Sequence, residues 1–490
     1  MAMYEVEMPV KAIARSEIAR VGYSGDDVGY LFTWQGRLFR AIHPEYEEHV
    51  KRMLSCGLLP DLMERRLVPR TWIADVYFDD CGLVLEHEYI HPITYPHEWS
   101  FRMLRDAGLA VLDVNLVAKK YGYQTKDSHP FNVVFDNAAP LFVDIGSFFP
   151  LPAWARRHTG WLAYEEFRRS YEYPLKIWAS GNSWLARRLF AGRDLMPSWS
   201  YGLYNNSVLR YIWNPIFKMV PFAWYRYKQL PVAPEEWVRN HFIRRAWLRS
   251  IGNMLLCLRK RNLLPFSSVN LDHVRARLSR VANRKASSFW QNYHLRLVEE
   301  GGAIKPTPRF ERLAQIVGDL GVEQVVEVGG NAGAFSMILL KQKRIRKAIC
   351  TDYDDGAIDV AYRLAQQTGA ALTPAVVDYT WPLQIVDSES PDKRFNSDLV
   401  IALALFHHLV LAQNVPIELA FQRLAAYTRK YSIVEFMPRG LWDGKTAPIV
   451  PSWYTQEWFH AHFARRFDVM HVEHLEENRI AFVGRKKGGV

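Results

Sequence analysis

A glycine-bearing turn between two apolar stretches is the part of this 490-residue chain that most clearly predicts chemistry. It reads EVGGNAG, residues 327–333, and the apolar run that leads into it predicts a strand. Apolar residues at helical spacing from Ala334 onward predict a helix directly after it. Glycine lets a ligand approach the backbone, and a helix N-terminus presents free N–H groups. The turn therefore predicts a ligand-binding site.

Carboxylates and imidazoles end several of the strands predicted beyond this turn. Strand and helix alternate after Gly321, and this alternation predicts a parallel sheet with helices on both faces. In such a sheet, ligands bind beyond the carboxyl ends of the strands, so we expect these side chains to surround one site. They are Asp352, Asp378, His407, His408 and Glu435.

The same residues resemble the motifs of the class I S-adenosylmethionine-dependent methyltransferases, an α/β Rossmann-like fold with a seven-stranded, mostly parallel sheet. In that family the carboxylate ending the second strand accepts both ribose hydroxyls and the one ending the third binds the adenine amine, which implies these roles for Asp352 and Asp378. A dinucleotide-binding fold is the rival, but its GxGxxG motif needs glycine at Asn331, and Ala334 occupies the last position. The cofactor contacts implied by the resemblance are Glu327, Gly329, Asn331, Gly333, Asp352, Tyr353, Asp378, Tyr379, Ala402 and Leu403.

The catalytic candidates follow from the chemistry of methyl transfer. Displacement at a sulfonium depends mainly on positioning, and a base helps only where the nucleophile must lose a proton. His407 and His408, directly after the fourth strand, are candidates for a base or a substrate contact, and Glu435 on the fifth strand is another. The competing interpretation is that these side chains cap or pack the strand ends.

A second set of polar residues lies in the segments KDSHPFN, residues 126–132, and VDIGSF. Together they resemble the catalytic and metal-binding loops of the protein-kinase-like fold, with the choline and aminoglycoside phosphotransferases as the closer match. The resemblance implies that Asp127 orients an attacking hydroxyl and that Asn132 and Asp144 hold magnesium beside ATP. The usual nucleotide-pairing lysine is not visible. Arg40 is the nearest basic residue, with Glu47 or Glu48 as the expected partner.

These signals predict a multidomain chain. We expect an α+β kinase-like core over 1–150, its helical extension over 151–265, a linker with a lead-in helix over 266–300 and the methyltransferase domain over 301–490. The layout also resembles a group of bacterial methyltransferases related to nodulation host-specificity proteins, which share a W-x-AY-x-x-F helix. Here that helix carries Trp161, Ala163, Tyr164 and Phe167.

Composition limits the compartment and the partners. The 62 Lys+Arg against 51 Asp+Glu give a net charge of +11, which suits an anionic partner or simply a basic enzyme. The basic, aromatic segment 234–261 predicts either contact with a membrane surface or anionic acceptor, or packing against the kinase-like module. The four cysteines form no CxxC pair, and no stretch approaches ~20 apolar residues or forms a signal peptide. We therefore expect a cytoplasmic protein without a transmembrane segment.

The sequence thus favours O-methylation of a small-molecule, glycan or glycolipid-type acceptor, with a kinase-like module that phosphorylates or holds it. One alternative is a catalytically dead pseudokinase module that regulates the methyltransferase. Another is a nucleic-acid methyltransferase, suggested only by the charge. The fourth strand argues against the latter, because it ends ALALFHH rather than in an Asn/Asp-Pro-Pro-aromatic motif.

Overall fold

A computed structural model describes residues 11–21, 27–78, 81–151, 161–191, 195–196, 201, 269–283, 304–385, 388–442 and 449–488. The strands are β1 Lys11–Ala12, β2 Ala19–Arg20, β3 Gly29–Trp34, β4 Arg37–Ile42, β5 Thr71–Ile73, β6 Val76–Tyr77, β7 Leu83–His87, β8 Tyr123–Thr125, β9 Val133–Asp136, β10 Ala139–Phe142, β11 Phe148–Pro150, β12 Gln324–Val328, β13 Lys347–Asp352, β14 Leu372–Val376, β15 Ser397–Ala402, β16 Thr428–Phe436, β17 Phe467–Glu476 and β18 Arg479–Lys486.

The α-helices are α1 Glu47–Ser55, α2 Leu58–Glu64, α3 Phe101–Lys120, α4 Tyr164–Phe167, α5 Tyr173–Ala179, α6 Ser183–Ala191, α7 Leu271–Ser279, α8 Pro308–Leu320, α9 Ala334–Lys341, α10 Asp355–Thr368, α11 Pro391–Arg394, α12 Ile417–Ala426 and α13 Gln456–Phe463. The predicted basic segment 234–261 lies outside the described residues.

The described residues from 11 to 283 are called the first module. It begins with an antiparallel five-stranded sheet in the order β2-β3-β4-β7-β5. The three strands predicted between residues 18 and 43 are present as β2, β3 and β4. Gln35 and Gly36 join β3 to β4 with φ of 49° and 74°, the left-handed geometry that matches the twist of a two-residue hairpin. This sheet places Arg40, near the middle of β4, in the interior.

The lower half of the first module is built around α3. Its polar loop, residues 126–132, is flanked by two antiparallel pairs, β8 with β11 and β9 with β10. The β9–β10 pair folds the chain back, so that the Val143 N–H donates to the Asn132 carbonyl over 2.9 Å. The two polar segments predicted to act together are therefore adjacent.

The described residues from 304 to 488 are called the second module. It is an α/β unit around a seven-stranded sheet in the order β14-β13-β12-β15-β16-β18-β17. The strands β12 to β16 are parallel, and β18 runs antiparallel to both β16 and β17. The alternation of strands and helices predicted after Gly321 is present. The order reverses at β12, so the glycine turn that follows this strand lies at the switch point of the sheet, where ligands bind in open α/β folds.

The two modules pack against each other. Helix α3 contacts α10, and the ring of Phe135 meets that of Tyr362 edge-on at 5.8 Å between centroids. Part of the predicted linker belongs to the first module, because α7 packs on α3 and Arg275 forms an ion pair with Asp113. No helix among the described residues is long and apolar enough to cross a membrane.

Candidate functional site

The glycine turn after β12 requires left-handed backbone at three positions. Gly329, Asn331 and Gly333 have φ of 67°, 53° and 70°. Among residues with a side chain, asparagine tolerates this region best, which explains how Asn331 can stand where glycine is commonest. A Cβ added at Gly330 would lie 2.8 Å from Cys350 Sγ, so the turn is also tightly packed against β13.

Asp352 fastens the end of β13 to this turn. Its Oδ2 accepts a hydrogen bond from the Asn331 N–H at 2.9 Å, and its Oδ1 accepts one from the Asp354 N–H at 3.0 Å. Burial raises the pKa of Asp352 to about 6. Asp352 is thus a buried carboxylate at the switch point, and Tyr353 beside it is 59 % exposed.

Glu327 is directed into the turn itself. Its Oε2 accepts hydrogen bonds from the Ser336 N–H at 3.1 Å and from the Ser336 hydroxyl at 2.5 Å. Burial raises the pKa of Glu327 to about 7, and the positive charge of Arg309 opposes that rise. Glu327 thereby holds the first turn of α9 against the end of β12.

The segment after β14 carries an exposed carboxylate. Asp378 Oδ1 accepts hydrogen bonds from the Thr380 and Trp381 N–H groups, both at 2.9 Å, and these bonds set the turn. The Trp381 side chain is 62 % exposed at the same place. Both of these hydrogen bonds use Oδ1.

The side chain of Tyr379, a residue predicted to contact the cofactor, lies in the core. Its ring is buried, 6.2 Å from the ring of Tyr427, and its hydroxyl donates to the Ala420 carbonyl. Tyr379 therefore anchors the segment from beneath.

The end of β15 is followed by a short run of apolar residues and then by two histidines. Ala402 is buried, Leu403 is half-buried, and Ala404 adopts a left-handed φ of 48° where the chain leaves the strand. The rings of His407 and His408 lie 4.1 Å apart. Burial lowers the pKa of His407 to about 3 and also lowers the pKa of His408. Both imidazoles are therefore neutral at neutral pH.

Glu435 does not fit the predicted role of a base. It is fully buried, and its carboxylate accepts hydrogen bonds from Arg309 at 2.7 and 2.9 Å and from Arg479 at 2.8 Å. Two guanidinium groups occupy both of the oxygens that would take a proton. Spacing could not reveal these arginines, because Arg309 is 126 residues from its partner.

The polar residues of the first module form a separate cluster. The Asn132 side-chain amide donates to Asp144 Oδ2 at 3.1 Å, and the Ser147 hydroxyl accepts from the Asp127 N–H at 3.0 Å. Burial raises the pKa of Asp144, the charge of Arg40 opposes this and the charge of Asp127 adds to it. The four residues singled out from the sequence are thus within electrostatic reach of one another.

The predicted carboxylate partners of Arg40 are wrong. Glu47 accepts a hydrogen bond from the Gly82 N–H at 2.9 Å, and the Glu48 side chain is 83 % exposed beside Lys51. The carboxylate whose charge acts on Arg40 is that of Asp144.

Within the described ranges, no group of three or more His, Cys, Asp or Glu side chains is arranged to hold a metal ion. An Asn and an Asp suffice for Mg²⁺ only where phosphate and water complete its shell.

No family model matches this chain. It is 24 % identical to the nodulation protein NoeA of Rhizobium meliloti (strain 1021) over 449 residues, 84 % of each chain. Among solved structures it is similar to the N-methyltransferase NodS of Bradyrhizobium japonicum WM9, with 13 % identity over 37 % of this chain and 97 % of that one at a TM-score of 0.27. A SAM-dependent methyltransferase from Aquifex aeolicus gives 14 % identity, 37 % and 100 % coverage and a TM-score of 0.26.

Proposed function

We propose that this chain is an S-adenosylmethionine-dependent methyltransferase whose cofactor site is the carboxyl edge of the second module's sheet. The proposal rests on one observation. Asp352 is hydrogen-bonded to the left-handed turn of Gly329, Asn331 and Gly333 at the switch point. This contact joins a double acceptor for vicinal hydroxyls to a backbone that a ligand can approach closely.

The surrounding residues suit the other parts of the cofactor. Asp378 would accept the adenine amine, with Tyr353 and Trp381 as exposed aromatic neighbours. Ala402 and Leu403 would line the methionine portion, because Ala402 ends β15 beside the turn and Leu403 follows it. When bound, S-adenosylmethionine supplies the sulfonium methyl group for an in-line displacement.

The two histidines would act on the methyl acceptor. A base works best when its pKa is near the working pH, so a group with a pKa of about 3 is a poor proton acceptor. We therefore assign His407 to accepting a hydrogen bond that orients an acceptor hydroxyl, and the less buried His408 to taking its proton. This supports O-methylation of a small-molecule or glycan-type acceptor.

Calorimetric titration of the full chain with S-adenosylhomocysteine tests the cofactor site. We expect one molecule bound per chain, and binding that weakens more than about tenfold in Asp352→Ala, the loss of a charged double acceptor. Asp319→Ala, which changes an exposed aspartate on α8, is the matched control. Unchanged affinity in Asp352→Ala would remove the proposed site.

A second candidate activity is favoured by the cluster in the first module. The hydrogen bond from Asn132 to Asp144, with Asp127 and Arg40 nearby, supports binding of ATP with Mg²⁺ and transfer of phosphate to a hydroxyl. Nucleotide binding without turnover would instead favour the pseudokinase alternative. Salt-dependent binding to RNA or DNA would favour a nucleic-acid acceptor.

A further inference from the structure

Helices α5 and α6 of the first module reach the loops that bear the proposed cofactor contacts. Arg187, on α6, donates from Nη2 to the Val376 carbonyl at 3.0 Å. Val376 ends β14, two residues before Asp378. The same guanidinium donates from Nε to the His97 carbonyl at 2.8 Å, so one side chain joins the segment before α3 to the end of β14.

A second contact from this side holds the loop after β13. The indole N–H of Trp178, on α5, donates to Asp355 Oδ2 at 2.9 Å. Asp355 begins α10 three residues after Asp352. The two loops that carry the proposed ribose and adenine acceptors are thus held from one direction by the first module.

The charges around Arg187 show why a guanidinium is needed there. Burial lowers its pKa, and the carboxylates of Asp355, Glu98 and Asp378 oppose that effect in this order. Two of these carboxylates belong to the second module, and one of them is the proposed adenine acceptor.

We propose that Arg187 is a positioning residue for the adenosine half of the cofactor site, so that the first module completes a site built mainly by the second. This role lies within the proposed cofactor site and depends on that proposal. Arg187 acts through the Val376 carbonyl, two residues before Asp378. Its loss should therefore impair recognition of the adenine amine more than recognition of the rest of the cofactor.

Discrimination between two ligands separates this role from simple support of the fold. In the full chain, S-adenosylhomocysteine and S-inosylhomocysteine, which has a carbonyl in place of the adenine amine, are titrated by calorimetry. We expect wild type to prefer the amine-bearing ligand, and Arg187→Met to bind it about tenfold more weakly while its affinity for the inosyl ligand changes little. Arg187→Lys, which keeps the charge, should recover part of the preference.

The matched control is Arg102→Met. Arg102 also joins the modules, donating from Nε to Asp359 Oδ2 at 2.8 Å, but it contacts α10 one turn beyond the loop. It should leave the ratio of the two affinities at the wild-type value. Should Arg187→Met fail to fold, as judged by circular dichroism, Arg187→Gln is measured in its place.

The outcomes separate the two proposals. Failure of wild type to bind S-adenosylhomocysteine would overturn the proposed function. Binding by wild type with an unchanged ratio in the Arg187 variants would overturn only the role of Arg187. A ratio that falls equally in Arg102→Met would also overturn it, because docking of the modules in general would then be responsible.

Discussion

Two buried carboxyl groups beside the glycine turn have different contacts, and these determine what each can do. Glu327 accepts both of its hydrogen bonds from Ser336 on one oxygen, Oε2, and so stabilises the start of α9. Asp352 accepts only backbone N–H groups and keeps acceptor capacity on both oxygens. The ribose assignment therefore belongs to Asp352.

Affinity for S-adenosylhomocysteine should depend on pH through Asp352. Burial raises the pKa of this carboxyl from 3.8 to about 6. The ionised form accepts both hydroxyls, so binding should strengthen as pH rises towards about 7 and weaken up to about tenfold per pH unit below about 5. Titrations from about pH 4 to 8 measure this, and Asp352→Asn should flatten the profile. A profile that persists in that variant would assign the dependence to Glu327.

The histidines should affect turnover differently. Once an acceptor is found by screening glycans for methyl transfer, His408→Ala should lower kcat by about a hundredfold and remove an acid limb from its pH profile, as expected for a lost base. His407→Ala should mainly raise KM, because it removes an orienting hydrogen bond. His474→Ala, at an exposed position of β17, is the control. Equal effects of both variants on KM alone would exclude the base.

At the scale of elements, each of the two polar clusters forms where a short turn or hairpin brings neighbouring segments together. The turn from β12 to α9 places three left-handed residues against β13, and the β9–β10 hairpin places Asp144 beside Asn132. Both arrangements use neighbouring segments, so local geometry accounts for them. The first forms the proposed cofactor site and the second the proposed nucleotide site.

Asp144→Ala should abolish magnesium-dependent ATP binding and leave S-adenosylhomocysteine binding unchanged. The variant removes the carboxylate that Asn132 contacts, and Mg²⁺ binds phosphate-bearing ligands through one or two such oxygens. Calorimetry with ATP in the presence and absence of Mg²⁺ measures it. Asp272→Ala, an exposed change on α7, serves for comparison. Retained binding in Asp144→Ala would show that the metal assignment is wrong.

At the scale of the whole molecule, buried polar contacts lock the two modules together. Arg394 forms an ion pair with Glu98, and each of these side chains is only 2 % exposed. The ring of Tyr95 lies 4.3 Å from the Arg394 guanidinium, which also donates to the Ile93 carbonyl at 2.7 Å. An interface with buried charge on both sides requires close docking, so we expect the modules to unfold as one unit.

Breaking this ion pair should destabilise the whole chain. Arg394→Met leaves the Glu98 carboxylate buried without its partner, which costs about 3–5 kcal/mol. Urea unfolding followed by tryptophan fluorescence should show one transition at a lower midpoint, and adding Glu98→Gln should recover part of the loss. Arg465→Met, from an exposed pair with Glu418, should change stability by less than about 1 kcal/mol. Two separate transitions would contradict the single unit.

The sequence by itself determined the elements whose signals are local. Glycines between two apolar runs predicted the turn after β12, and strand-ending carboxylates predicted Asp352 and Asp378 at one edge of the sheet. Only the tertiary structure decided the partners. It paired Glu435 with Arg309 and Arg479, buried Tyr379 in the core and brought Arg187 to Val376, 189 residues away. Periodicity records which face of an element is apolar, but side chains far apart in the chain meet only through packing, which no local pattern encodes.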